Sequence, residues 1–525
     1  MEQNENIGLT IIKASAGSGK THRLTLEYLK LVLSDSQKFK NILAVTFTNK
    51  ATAEMKLRII EELRILAKMP SESKMLEELT AWFNQSKEEI SQRARILVKS
   101  ILHQYAYFNV STIDQFFQRI IRNLTKELGL NGGFRIQLDQ KEIIEAAVER
   151  FLQELTQNKE HMQIMLEYID NQMDDEKSWN VNRQLIEFTT QLFREQVRYF
   201  YIRNNGSLNG STSTNKVKAI IADVIKNFDA KTKKWVSNYD LLIEKTNLQP
   251  ADFAGKSKNQ LLSARNKIEK KNFVDLEKNI NAINKQTTWA HKASENAKLV
   301  ESISPELDLF ADELTELYEK DLPKYIEANT LQQHIYQHSL ASGLMKKVSA
   351  VLAEQNLFLL ADAPVLLNLF TDGDDTPFIY EKSGRIYMHF MIDEFQDTSV
   401  LQWRNFKPLL EESISTGNNG NFIVGDVKQA IYRWRNGDWT LLHKKVREEI
   451  ILTNTQTLSE NWRSKENVIV FNNLFYREII KVVGNTLSEE YSRELVEIYN
   501  DIEQKVPQKI QDERRGGYVF IKGID

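Results

Sequence analysis

The chain has 525 residues, 41% hydrophobic and 27% charged, which is too long for one core and ordinary for a globular protein of two to four domains. Its net charge of −3 gives no whole-molecule attraction for a polyanion, so any such attraction must be local. It contains no cysteine, which excludes disulfides and Cys-held metal centres and fits a reducing cytoplasm, and neither its polar, acidic N-terminus nor any later run has the character of a signal peptide or membrane span.

The first expected strand, about 9–13, runs into Ala14-Ser15-Ala16-Gly17-Ser18-Gly19-Lys20-Thr21, and a helical pattern follows from Thr21 to Leu33. Strand, Gly-rich loop and helix in that order make a phosphate-binding loop. The segment Ala16 to Gly19 can wrap backbone N–H groups round a β-phosphate, Lys20 can reach β/γ oxygens, and Thr21 can hold Mg²⁺. Ala14 stands where the stricter pattern has glycine.

Two more strands are expected at about 41–46 and 108–112, ending in the polar clusters Thr46-Phe47-Thr48-Asn49-Lys50 and Thr112-Ile113-Asp114-Gln115-Phe116. Between about 130 and 350 strand signals nearly vanish. Proline is absent from 71 to 249, and stretches such as Lys141 to Leu155 carry apolar residues at helical spacing, so a mostly helical insertion is expected. Within it, Asn204 to Asn215 has loop composition. Residues 211–300 hold 17 Lys and Arg against 9 Asp and Glu, together with Trp235 and Trp289. That excess reads either as a phosphate-tracking surface or as the solvated face of a Lys-rich helix.

The apolar run Leu357 to Phe370 reads as helix and precedes an acidic loop, Asp372 to Asp375. Strands are then expected at 386–392 and 421–425, ending in Asp393-Glu394-Phe395-Gln396-Asp397 and Gly425-Asp426-Val427-Lys428-Gln429. In an open parallel sheet ligands bind at the carboxyl ends of strands, so all five clusters should share one edge. Asp393 is then the metal-side carboxylate and Glu394 the general base; a solvated acidic turn is the alternative. Beyond Ser464 the pattern is helical to about Val506, with a strand expected at Gly517 to Lys522.

These residues resemble the UvrD/Rep-type superfamily 1 DNA helicases and, within them, the AddA and RecB branch of helicase-nucleases. Residues Thr46 to Met55 are similar to motif Ia, Ser111 to Phe117 to motif Ic, Asp393 to Ser399 to motif II, Val424 to Arg435 to motif III and Leu458 to Ser464 to motif IV. Asp114 where many relatives have His, and Trp462 where many have Tyr, point to the AddA/RecB side.

The resemblance implies an α/β fold with a P-loop, RecA-like parallel sheet flanked by helices and interrupted by a large helical insertion. The expected division is 1–135 and 351–450 for the first core domain, 136–350 for the accessory insertion, and 451–525 for a hinge and the start of a second core domain. It further implies that Gln429 senses the γ-phosphate, that Arg463 stabilises charge there, and that Trp462 stacks near adenine. Phe47, Tyr432 and Trp434 would meet single-strand bases, with Thr112 and Phe116 in the same contact set, while Thr48, Asn49 and Arg435 would hold phosphates. Packing beneath the loops is the alternative for Phe47 and Tyr432.

Motifs V and VI are not found, so the chain looks like the N-terminal part of a longer protein; no nuclease constellation is seen, and Gln3 is a poor candidate for reading adenine. The function implied is ATP- and Mg²⁺-driven translocation on single-stranded DNA in the repair of DNA ends, with no membrane involved and with an AddB/RecC-like partner subunit. The alternative is a non-catalytic, ATP-gated DNA clamp or scaffold.

Overall fold

Among the described residues eight strands form in chain order: β1 (Leu9–Ala14), β2 (Ile42–Thr46), β3 (Val110–Thr112), β4 (Arg135–Gln137), β5 (Leu357–Leu359), β6 (His389–Ile392), β7 (Asn421–Gly425) and β8 (Thr453–Leu458). The computed structural model describes residues 8–68, 74–126, 133–174, 180–204, 211–273, 275–285, 287–371 and 386–523. Six strands make one parallel sheet in the order β3-β2-β6-β7-β1-β8, and β4 and β5 make a separate parallel pair.

Period-two geometry explains why the central strands are apolar throughout. Ile11, Leu43, Val45, Phe390, Ile392 and Ile423 join the core on one face, while Ile12, Ile42, Ala44, Met391, Phe422 and Val424 join the core on the other. The first core is closed by the helices Ile113–Asn123 and Val400–Ser415, through Phe116, Phe117, Trp403 and Phe406. Helices Lys20–Ser34, Asn49–Ala67 and Lys87–His103 close the second. With both faces covered, the strand ends are left as the exposed edge on which polar loops collect.

The expected strand positions hold to within about three residues, and three elements differ. Leu357–Leu359 is a strand, with helix only from Ala363 to Thr371. A three-residue apolar run has no period to read, and its partner β4 is remote in sequence. β8, with sequence TNTQTL, was hidden by its polarity; it lies at the sheet edge beside β1 and needs little apolar surface. Residues 517–522 form no strand, because among the described residues no neighbouring strand pairs with them. The acidic loop Asp372 to Asp375 and Gln3 lie outside the described residues, as does 205–210 of the expected loop, whose remainder from Ser211 is helix.

The chain divides into two compact units: residues 1–140, 193–203 and 352–525, and residues 141–192 and 204–351. Phe193–Arg203, inside the range expected to be insertion, thus belongs with the sheet. There Arg198 forms a buried two-pronged pair with Asp362, Nε to Oδ1 at 2.8 Å and Nη2 to Oδ2 at 2.6 Å.

The second unit carries no sheet strand among its described residues and is built of helices, including Ser211–Thr246 and most of Leu322–Glu354. Its core gathers Trp235, Phe253, Leu261, Trp289, Leu307 and Leu314. No helix among the described residues is long and apolar enough to cross a membrane.

Candidate active site

β1 ends at Ala14, and the chain turns through Ser15–Gly19 into the helix Lys20–Ser34. Gly17 and Gly19 both take left-handed backbone, φ 80° and 86°, which side chains resist. Gly17 also lies where a Cβ would come within 2.8 Å of Asn461 Oδ1 and 3.1 Å of Arg463 Cβ. Ser18 closes the turn, its hydroxyl donating to Ser15 O at 2.7 Å. Trp462 N donates to Gly17 O at 2.8 Å, and Gln504 Nε2 donates to Ala16 O at 3.0 Å, so the segment expected to carry Trp462 and Arg463 lies directly on the loop.

Asn461 fixes that segment. It is buried, and its Oδ1 accepts from Arg463 N and Ser464 N, both at 2.9 Å. Arg463 itself is exposed, and the Trp462 ring passes 3.7 Å from where a Cβ on Gly19 would stand.

Across the sheet, β6 delivers Asp393 and Glu394 beside Lys20. Glu394 sits at φ 50°, a left-handed conformation uncommon for a non-glycine residue and of a kind that collects at functional sites. Its amide donates to Asp393 Oδ1 at 2.9 Å. Burial first, and then the Glu394 charge, push the Asp393 carboxyl up to about 6, against the pull of Lys20. A carboxyl so placed fits a divalent cation, whose charge would hold it ionised, and Thr21 at the helix start supplies a hydroxyl of the type that joins such a site.

Five groups then close a hydrogen-bonded ring. Lys20 Nζ donates to Glu394 Oε2 at 3.3 Å and to Gln429 Oε1 at 3.3 Å; Gln429 Nε2 donates to Asp426 Oδ2 at 2.7 Å. Asp426 N donates to Gln396 Oε1 at 3.0 Å, and Gln396 Nε2 returns to Glu394 Oε2 at 2.7 Å. The loops after β1, β6 and β7 are thereby joined by their own side chains.

Beyond Gln429 the chain presents aromatics. Phe47 and Tyr432 lie 4.5 Å apart between ring centroids, Tyr432 and Trp434 6.0 Å apart, and the Arg435 guanidinium stands 4.8 Å over Trp434. Trp434 is 72% exposed, which leaves a ring face free for a base. Thr48 and Asn49 are exposed at the head of the helix Asn49–Ala67, where Thr48 Oγ1 accepts from Ala51 N as its cap.

Two expected contacts are corrected. Phe116 is 1% exposed and stacks on Phe406 at 5.4 Å within the core, so it has no face for a base. Thr112 is buried and caps the helix Ile113–Asn123 in a reciprocal box with Gln115, which uses its hydroxyl for structure. In the helical unit Trp235 and Trp289 are likewise core residues, their indole N–H groups donating to Phe310 O and Asp308 Oδ1. The lysine excess is at the surface, where Lys258, Lys267, Lys270 and Lys278 line an open groove of about 500 Å³.

Residues 3–449 match the family described as UvrD/REP helicase N-terminal domain. The chain belongs to this family. Similar proteins include one from Lactobacillus acidophilus named as the A subunit of an ATP-dependent helicase/nuclease, 25% identical over 501 residues, which cover 90% of this chain and 39% of that protein. The protein of the same name from Ligilactobacillus salivarius is 27% identical over 523 residues, 92% of this chain and 39% of that one. The exonuclease/helicase protein RexA of Lactococcus lactis subsp. cremoris is 25% identical over 526 residues, 91% and 40%. The chain spans about two fifths of the length of the curated relatives it matches.

For this UvrD/REP-family chain, sequence reasoning singled out Lys20, Glu394 and Gln429, which the fold brings together, and missed three further amides that organise the site. Gln396, Asn461 and Gln504 carry no charge and belong to no short pattern with a mechanism of its own. Their one signal was position: Gln396 and Asn461 sit inside motif-like runs between residues already singled out.

Proposed function

We propose that the chain is the nucleotide-binding motor region of an AddA-type helicase-nuclease, in which ATP hydrolysis with Mg²⁺ drives movement along single-stranded DNA. The observation that carries this reading is the convergence of Lys20, Glu394 and Gln429, with Lys20 Nζ within 3.5 Å of both other side chains, at the ends of three parallel strands. In this reading the sheet unit supplies the core domain and the helical unit the accessory domain, residues 451–525 start the hinge and second core domain, and the complete protein works in the cytoplasm on DNA ends with a second subunit.

Bound Mg-nucleotide supplies the phosphoryl group to be transferred to water. Gly17 and Gly19 offer backbone donors, and Lys20 a point charge, to its phosphates. Asp393 and Thr21 would hold the cation. Glu394 accepts a proton from the attacking water and orients it, a role worth about 10²–10⁴ in rate. Gln429 contacts Lys20 through one end of its amide and Asp426 through the other, so exchange of the Lys20 contact for a phosphate contact would move the segment that carries Tyr432 and Trp434. Arg463, exposed beside the loop, adds charge stabilisation, and Trp462 a surface for the base. Phe47, Tyr432 and Trp434 stack on bases of any sequence, while Thr48, Asn49 and Arg435 contact the backbone. Lys258, Lys270 and Lys278 line a groove of the helical unit and offer a sequence-neutral phosphate-binding surface of its own.

The test is steady-state ATP hydrolysis with and without single-stranded DNA, by the protein and by its Lys20→Ala and Glu394→Gln forms. Expected are DNA stimulation, loss of nucleotide binding in the first variant, and retained binding with turnover lowered at least about a hundredfold in the second. DNA binding without any turnover would overturn the motor and leave an ATP-gated clamp.

A further inference from the structure

Gln396 is 2% exposed, yet both ends of its amide are engaged by groups of the site. Its carbonyl accepts from the backbone N–H of Asp426 at 3.0 Å, which fixes the amide's orientation and leaves the NH₂ to face Glu394, where it donates to Oε2 at 2.7 Å. The side chain runs under the end of β7, and there Gly425 makes room: a Cβ on Gly425 would lie 2.5 Å from Gln396 Oε1. Glu394, at φ 50°, has Lys20 as its other side-chain partner, at 3.3 Å. A phosphate that engages Lys20 would remove that partner, and Gln396 would then remain as the group holding the carboxylate.

We propose that Gln396 is a positioning residue: by its buried amide it aims the Glu394 carboxylate and ties it to the backbone of the 426–435 segment, independently of Gln429. The inference rests on the reading of Glu394 as general base. It gives the site two links between the acidic loop and the segment that carries Tyr432 and Trp434. One, through Gln429, is open to exchange with a phosphate; the other, through Gln396, persists whether or not nucleotide is bound. Neighbouring ionisable groups on the packed loops are Lys20, Asp393, Glu394, Asp397, Asp426 and Lys428.

Two substitutions separate this role from mere packing. Gln396→Leu fills similar volume and donates nothing; it should lower kcat by about 10- to 100-fold, as a misplaced catalytic group does, with nucleotide affinity within about threefold of the unaltered protein. Gln396→Glu can imitate the amide only when protonated, since its acid O–H can then donate to Glu394 while its C=O accepts from Asp426 N. Its kcat, relative to the unaltered protein at each pH, should therefore recover at least about tenfold from pH 8 to pH 6, while that of Gln396→Leu stays low. The same signature belongs in thermal unfolding, which needs no turnover. The Glu variant should match the unaltered protein at pH 5 and melt several degrees lower at pH 8, since a buried acid that must stay neutral loses stability as pH rises. Absence of hydrolysis in the unaltered protein would refute the motor reading and leave the unfolding arm to decide this one. Equal melting losses of the two variants at both pH values, or an unchanged kcat in Gln396→Leu, would overturn it.

Discussion

Replacing Gly17 by alanine tests whether the loop and the 461–464 segment form one fitted surface. Alanine at φ 80° costs about 1–2 kcal/mol in backbone strain. The new Cβ would also lie 2.8 Å from Asn461 Oδ1. Asn461 cannot swing aside freely: its Oδ1 accepts from Arg463 N and Ser464 N, and its Nδ2 donates to Gln504 Oε1 at 2.7 Å. Losing two such bonds costs about 1–3 kcal/mol net, for a sum of about 2–5 kcal/mol. The free loop will relax away from its native shape, and nucleotide binding must restore it, so affinity should fall at least about thirtyfold. Titration with a fluorescent nucleotide measures this. Gly133→Ala is the control, because Gly133 has φ 81° and nothing within 4 Å of its Cβ position. It should lose about 1 kcal/mol of stability and leave affinity unchanged. If Gly17→Ala binds within about threefold of the unaltered protein, or no worse than Gly133→Ala, the contact with Asn461 has no bearing on the loop.

Arg198→Met should destabilise the sheet unit by about 3–5 kcal/mol in urea unfolding, because it strands the buried Asp362 carboxylate, whereas adding Asp362→Leu should recover most of the loss; a double variant as unstable as the single one would refute the charge argument. Burial pushes Glu195, which accepts from Ser399 Oγ at 2.6 Å, up to about 7. The folded chain therefore holds that proton more tightly than the unfolded one, and stability should fall by at most about 3 kcal/mol as pH rises from about 4.3 through 7. Glu195→Gln should flatten the dependence of melting temperature on pH across that window, and an unaltered slope would assign it elsewhere. Changing Lys258, Lys270 and Lys278 together to serine should reduce the slope of log affinity against log salt for single-stranded DNA by about 2; an unchanged slope would make the groove a solvated face.

Residue order alone made the candidate phosphate and acidic loops and five of the six strands of the main sheet legible. The apolar runs are strands because both faces of a parallel sheet are covered, and the phosphate loop, acidic pair and basic segment could be read because each is a short contiguous pattern whose residue types have few other uses. Packing in three dimensions settled which polar residues face the site and which serve the fold. Phe47 and Phe116 look alike in sequence, each a phenylalanine in a polar cluster after a strand. One meets Tyr432 and stays partly exposed; the other follows the helix Ile113–Asn123 inward onto Phe406. The difference is one of position relative to the cap: Phe47 precedes the cap residue Thr48, whereas Phe116 lies inside the helix that Thr112 caps, on its inward face. The amide links have the same origin. Gln396 joins Glu394 to Asp426 because β6 and β7 are neighbours in the sheet and Gly425 leaves space between them, and strand adjacency is a property of the folded chain that no local run of residues encodes.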